Sequence, residues 1–267
     1  MKSSNNSSIL PLCPIKTNRR RSMRIEIFLD QENPVAIPIQ YNHIIQAMIY
    51  SWIKDERYSK FIHDKGYQFN ERIYKLFTFS RINGIYRLDK ELRKIIFYKD
   101  MHITISSASD ELMGYLLNSI LLENETINVG GAEVKISRVD VKEAPVFTEK
   151  TKIYTLSPCT AYTTMDNKQT RFYNPFDYEF SEYIRNNLLH KHESFYGKQP
   201  DDTRFEIRPT GAVKMAKVNY KDFHILAYNC EMEMEGGLEL QRMAYAAGIG
   251  GKNSQGFGCI EVKKDRR

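Results

Sequence analysis

The sequence is poor in the residues that build several common kinds of site. It has four cysteines in 267 residues, Cys13, Cys159, Cys230 and Cys259, and no two of them form a CxxC pair. That excludes a thiolate zinc module and a dense disulfide scaffold, and it fits a reducing, cytoplasmic compartment. No apolar run approaches the ~20 residues of a membrane-spanning helix, so no membrane partner is expected. HExxH, a GxSxG elbow and a two-metal acidic cluster are all missing. The expectation is therefore a protein with no metal and no cofactor.

Charge of one sign is also scarce outside one segment. The net charge is +6, from 39 Lys and Arg against 33 Asp and Glu. Lys2, Lys16, Arg19, Arg20 and Arg21 lie within residues 1–22, which hold no acid. The rest is nearly neutral, so a nucleic-acid surface would have to be a local patch. Residues 1–22 are rich in Ser and Asn and read as a disordered basic tail. They lack the apolar core of a secretory signal, and Met23 is an alternative start.

What is present is organised twice in one order. Met23–Asp30 reads as a strand, and a Pro-containing loop follows over 33–38. Tyr41, Ile44, Ile45, Met48, Ile49, Trp52 and Ile53 recur at helical spacing. Residues 57–72 read as polar and irregular. Tyr74–Arg81 reads as a strand, with Asn83-Gly84 as a hairpin turn, and another strand lies in 95–106. Ser109 is a cap for a helix with the stripe Leu112, Met113, Leu116, Leu117, Ile120 and Leu121. A strand over 134–141 closes the set. After a linker over 143–151 the order returns: a strand over 153–161, then a helix opening at Asn174-Pro175 with Phe176, Phe180, Tyr183, Ile184, Asn187 and Leu188 on its stripe. Strands over 204–209, 213–218 and 223–234, a short helix through Leu240 to Ala247, and a strand over 259–262 complete it. The fold class is α+β: two tandem ferredoxin-like (βαββαβ, RRM-like) domains, 23–143 and 151–264.

Between the last helix and strand runs GIGGKNSQGFG, with glycines at 248, 250, 251, 256 and 258. Such a loop can offer N–H groups to phosphate, or it can be a helix C-cap with a tight turn. It is not a P-loop, because Ala246 and Asn253 stand where GxxxxGK[ST] needs Gly and Ser or Thr. Gly248, Gly250, Gly251, Lys252, Asn253, Ser254, Gly256 and Gly258 are the loop's candidates for holding phosphate. Lys214 and Lys217, with Arg204 and Arg208, are candidate phosphate contacts. Phe257 could stack on a base, although burial suits a Phe between two glycines. His190-Lys191-His192 reads as a basic helix end rather than a metal site. His43 reads as a structural polar residue near a helix start.

The glycine-rich tract, YNHIIQAMIYSWI, a later histidine and YKLFTFS together resemble the CRISPR-associated endoribonucleases that cut precursor CRISPR RNA. These are the sixth Cas family, of the RAMP superfamily. The resemblance spans about residues 23–262. It implies metal-independent cleavage by the ribose 2′-hydroxyl, leaving 2′,3′-cyclic phosphate and 5′-hydroxyl ends. It implies a catalytic tyrosine, histidine and lysine, which match Tyr50, His63 and Lys75, with Lys65 as the substitute for the lysine. Single-stranded or weakly structured CRISPR repeat RNA is the implied partner, and the resemblance makes the loop's phosphate candidates RNA-binding candidates. Effector-complex subunits and a second copy of the chain are further candidates. The residue types suit the chemistry. Histidine can take or give a proton near neutral pH, tyrosine can donate or position, and lysine can stabilise charge on phosphate oxygens. A non-catalytic RAMP subunit that only holds guide RNA is the alternative. A nucleotide-binding enzyme is a third reading, disfavoured by the failed P-loop pattern.

Overall fold

The structure is a computed structural model that describes residues 23–123, 126–167, 169–220 and 223–263. The disordered-tail reading of residues 1–22 lies outside the described residues. Strand β1 (Met23–Asp30) is followed by β2 (Val35–Pro38), helix α1 (Asn42–Ser51) and a short α2 (Glu56–Lys60). A π-helical turn over Phe61–Lys65 leads to the small hairpin β3 (Tyr67–Phe69) and β4 (Arg72–Tyr74). Then come β5 (Phe77–Phe79), β6 (Asn83–Asp89), β7 (Lys94–Ser107), α3 (Asp110–Glu123), β8 (Thr126–Val129) and β9 (Ala132–Lys142). The second unit has β10 (Lys150–Thr155), β11 (Tyr162–Thr164), β12 (Thr170–Phe172), α4 (Tyr178–Tyr196) and β13 (Phe205–Tyr220). It ends with β14 (Phe223–Gly236), α5 (Leu238–Ala247) and β15 (Ile260–Val262).

In each unit the first strand lies between the third and the last, as the split βαβ pattern requires. β1 is antiparallel to β7 on one side and β9 on the other, and β5 and β6 both pair with β7. The second sheet runs β13-β14-β10-β15. Helices cover one face of each. Ile45, Met48 and Ile49 of α1 and Leu112, Met113 and Leu116 of α3 pack on Ile25, Ile27, Ile103 and Ile105. Phe180, Ile184 and Leu188 of α4 and Leu240, Met243 and Ala244 of α5 pack on Ile153, Ile207, Met232 and Met234. Each large apolar side chain buried this way contributes about 1.5–3 kcal/mol.

Several elements depart from the sequence reading. Residues 57–72 are ordered, not irregular. Asp55 caps α2 by accepting the Tyr58 N–H at 2.7 Å, and Tyr58 and Ile62 enter the core. The loop expected over 33–38 supplies β2, which pairs with β7. The strand expected over 74–81 breaks at Leu76, whose φ is 53°, and β5 keeps only three residues. The strand expected over 153–161 stops at Thr155, and β11 and β12 form a separate pair. α4 begins at Tyr178, because Asn174 and Pro175 form a turn in which Asn174 O accepts the Asp177 N–H. The two strands expected at 204–209 and 213–218 are one strand with a register shift between Pro209 and Val213. Pro209 donates no ladder hydrogen bond, so a bulge accommodates it.

The units are tied by polar groups from the first sheet. Arg24 is 1% exposed and donates to Ile260 O at 2.8 Å and Tyr245 O at 2.8 Å. It also pairs with Glu261 Oε2 at 3.0 Å and stacks over the Tyr245 ring. Ser106 donates to Ala246 O and Thr78 to Phe257 O. Leu76, by its positive φ, packs into the second core.

Candidate active site

Tyr50 stands in the last turn of α1, half-buried, with its ring edge-on to Phe77 of β5 at 5.9 Å. The His63 ring lies 5.8 Å from it between centroids. His63 sits in the π-helical turn, and its side chain is 72% exposed. Lys75 lies between β4 and β5, and its Nζ donates to His63 O at 2.6 Å. The three residues that the sequence singled out, far apart in the chain, thus meet in one corner of the first unit. Lys75, not Lys65, makes the hydrogen bond to His63; Lys65 is exposed at the end of the same turn.

Two backbone features set this corner. The π-helical turn ends at Gly66, where φ is +60°. A Cβ there would meet Tyr74 O at 2.7 Å and Lys75 Cδ at 3.3 Å. A side chain at 66 would therefore press on the segment that carries the lysine. The left-handed Leu76 then turns its own side chain into the second core while Lys75 stays on the His63 side. A non-glycine residue in that conformation costs about 1–3 kcal/mol and persists where its surroundings over-determine it.

The electrostatics favour one histidine tautomer. His63 Nδ1 is 2.7 Å from Asp64 Oδ1. That hydrogen bond, more than the nearby lysines, holds the Asp64 carboxyl below its ordinary range. An ionised carboxylate only accepts, so Nδ1 carries the proton and Nε2 is the nitrogen left for chemistry. Burial lowers the Lys75 ammonium from its ordinary value, opposed by attraction to Asp64.

Beside the trio a cleft of about 530 Å³ runs between the units. Lys75 and Arg72 line one side, Tyr162 and Tyr183 another, and the glycine-rich loop closes it with Lys252, Ser254 and Gln255. The glycines of the loop are buried, so much of the loop is internal scaffold. A Cβ at Gly256 would lie 2.5 Å from the Phe79 ring and 2.8 Å from Asn42 Nδ2, so only glycine lets the loop touch β5 and α1. Asn253 is also inward, donating to Ile249 O and Phe257 O at 3.0 Å each. Lys252 is the partly exposed cation, with a left-handed φ of 59° and its Nζ over the Tyr162 ring at 5.2 Å. Phe257 is fully buried against Val218, Ile225 and Ala227 and is unavailable to a base.

Sequence reasoning missed the residue that holds the loop. Lys191 of α4 is 2% exposed, and its Nζ donates to Gly248 O at 2.7 Å, Asn253 Oδ1 at 2.7 Å and Gly250 O at 3.3 Å. Burial lowers its pKa to about 7. The available signal was its position, three and seven residues past Leu188 and Ile184 on the apolar stripe. Its neighbours diverge: His190 stacks on Phe69 at 4.3 Å, and His192 Nδ1 is 3.0 Å from Lys198 O. Lys214 and Lys217 are exposed on β13, the edge strand, and neither lines the cleft. Arg204 and Arg208 pair with Asp202 and Glu233, both at 2.8 Å. His43 is exposed on α1.

Comparison with known proteins gives a consistent result over most of the chain. Residues 36–140 match the family described as CRISPR-associated protein Cas6, N-terminal, and residues 141–262 match CRISPR associated protein Cas6, C-terminal. The chain is 27% identical to CRISPR-associated endoribonuclease Cas6 1 of Methanocaldococcus jannaschii, covering 92% of this chain and 95% of that protein. It is 26% identical to CRISPR-associated endoribonuclease Cas6 of Pyrococcus furiosus, covering 89% and 88%. In fold it resembles the structure described as a Cas6-related gene from Pyrococcus furiosus, with a TM-score of 0.80 at 23% identity, covering 92% and 100%. It also resembles a RAMP protein described as binding different RNA substrates, with a TM-score of 0.76 at 20% identity, covering 91% and 100%.

Proposed function

The chain belongs to the Cas6 family of CRISPR-associated proteins, and from that premise we propose that it cleaves CRISPR repeat RNA within precursor transcripts, with Tyr50, His63 and Lys75 as its catalytic residues. It is an endoribonuclease, as its relatives from Methanocaldococcus and Pyrococcus are. The observation that carries the residue assignment is the convergence of the three side chains beside the cleft.

In the proposed reaction the ribose 2′-hydroxyl attacks the adjacent phosphorus and the 5′-oxygen leaves. The products are a 2′,3′-cyclic phosphate and a 5′-hydroxyl. His63 Nε2 moves a proton at one of these two oxygens, with Asp64 holding Nδ1–H. Tyr50 positions the ribose, and Tyr50 or a water exchanges the proton at the other oxygen, so that the proton lost by the 2′-hydroxyl and the one gained by the 5′-oxygen are both carried. One N–H of the Lys75 ammonium is taken by His63 O, leaving two donors for the nonbridging oxygens of the phosphorane. These side chains cover proton transfer and charge stabilisation, so the cleavage is proposed to need no metal.

The test is incubation of repeat RNA with the purified protein in EDTA, followed by analysis of product ends. One cut per repeat, with a cyclic phosphate on the upstream product, is expected. Cleavage that requires added magnesium, or that leaves a 3′-hydroxyl, contradicts the mechanism. Tight binding with no cleavage points instead to an RNA-holding subunit.

A further inference from the structure

The catalytic trio does not account for two acceptors in the wall of the cleft. Asn187, on α4, is 5% exposed, and its Oδ1 accepts no hydrogen bond among the described residues. Gln255, in the glycine-rich loop, has a buried Oε1 in the same condition. Both residues line the cleft between the units, although one comes from a helix and the other from the loop. Buried polar side-chain atoms nearly always find a partner, and leaving one without a partner is costly. Two such atoms in one cleft point to a ligand that brings hydrogen-bond donors.

The surroundings narrow the chemistry. A lone phosphate would suit Arg72 and Lys252 at the cleft but would be repelled by the two amide oxygens. A nucleobase carries amino or ring N–H donors on its edge and a flat face. Tyr162 and Tyr183 offer an aromatic wall, their rings 5.9 Å apart. Burial raises both hydroxyls above their ordinary pKa, so they stay neutral. The cleft volume of about 530 Å³ falls within the usual range of ligand pockets. Single-stranded RNA is commonly read by splayed bases that stack on aromatic side chains and hydrogen-bond along their edges. Lys75 joins the cleft to the trio, since it lines the one and donates to His63 in the other.

We propose that this cleft takes one nucleobase of the bound RNA, next to the phosphate at Lys75, and that Asn187 and Gln255 accept hydrogen bonds from its N–H edge. This rests on the endoribonuclease reading and adds a base-reading site to it. Arg72 and Lys252 hold the phosphates that flank the base.

The experiment uses the full chain and repeat RNA carrying a 2′-deoxynucleotide at the cut, which blocks cleavage. Each repeat position in turn is replaced by an abasic nucleotide, and affinity is measured for the wild type and for Asn187→Leu. One abasic position near the cut is expected to weaken wild-type binding about tenfold. Asn187→Leu should weaken binding of intact RNA and reduce the further effect of that abasic position, because both changes remove the hydrogen bond between Asn187 and the base. Gln255→Leu gives the same readout if the Asn187 variant fails to fold. Two results overturn the proposal: abasic RNAs that all bind as tightly as intact RNA, or effects of the variant and the abasic site that simply add. Coupling with no cleavage of all-ribose RNA would keep the cleft assignment and overturn the cleavage reading. Cleavage without coupling would do the reverse.

Discussion

Lys75 and His63 are joined through a backbone carbonyl, so neither side chain spends its reactive end on the other. Replacing Lys75 by Met removes the ammonium proposed to stabilise the phosphorane, together with its hydrogen bond to His63 O. Cleavage is expected to slow by roughly 10²–10³-fold, as for loss of one oxyanion donor, with a smaller change in RNA affinity; single-turnover kinetics and an affinity measurement on the same variant check this. Lys191 makes a second prediction, through stability. Its folded pKa is about 7 and its ordinary value is 10.5. Between these values the unfolded chain binds the proton that the folded chain has released, so its contribution to stability rises with pH. The gain is at most about 1.4 kcal/mol per pH unit. Urea unfolding at pH 7, 8 and 9 should show the rise, and Lys191→Met should flatten it while lowering stability throughout, because three oxygens lose their donor. A rise of equal slope in the variant would assign it elsewhere. At this scale the proposed trio was singled out because Tyr50, His63 and Lys75 fall in tracts with a family resemblance. Lys191 was not, because a lysine in an amphipathic helix ordinarily reads as solvated, and only the three oxygens around Nζ explain its burial.

Elements matter here through their ends. The π-helical turn that carries His63 is closed by Gly66, and the link between β4 and β5 that carries Lys75 is bent by Leu76. Gly66→Ala must both adopt a positive φ and push on Tyr74 O. The expected result is a stability loss of about 1–3 kcal/mol and a cleavage defect larger than any loss of RNA affinity. A fully active Gly66→Ala protein would mean that the turn does not set the lysine. The long helices and β14 could be read from periodicity, because each buries one face, whereas the end of β7 is buried on both. The segment 57–72 could not, because polar residues surround Tyr58, Phe61 and Ile62, whose helical spacing is the only trace of α2 and the turn. β11 and β12 are three residues each, too short for alternation to stand out. The glycine-rich loop was legible as a special backbone. Its inward packing on Phe79 and Asn42 was not, since that contact joins residues remote in sequence.

Across the whole molecule, two ferredoxin-like units share one cleft, and polar groups tie the units together. Arg24 is the charged residue among these ties, reaching from β1 to Tyr245, Ile260 and Glu261. Arg24→Ala takes a donor from Glu261, Ile260 O and Tyr245 O, of which Tyr245 O keeps the Ser106 hydroxyl. It should cost about 3–5 kcal/mol, the range for breaking a buried pair, read as a lower urea midpoint. A near-neutral result would show that the units associate without it. The near balance of charge over residues 23–267 fits recognition by a local cleft rather than a global field. The order of strands and helices was enough to give the fold class, whereas the cleft arises only when residues from both units come together. The most direct test of the central claim is the single-turnover rate of repeat RNA cleavage by His63→Ala beside the wild type, with RNA affinity measured on the same preparations. The expected result is a rate loss of about 10²–10⁴-fold with affinity nearly unchanged. A variant that cleaves at the wild-type rate would contradict the assignment of His63 and, with it, the active site described above.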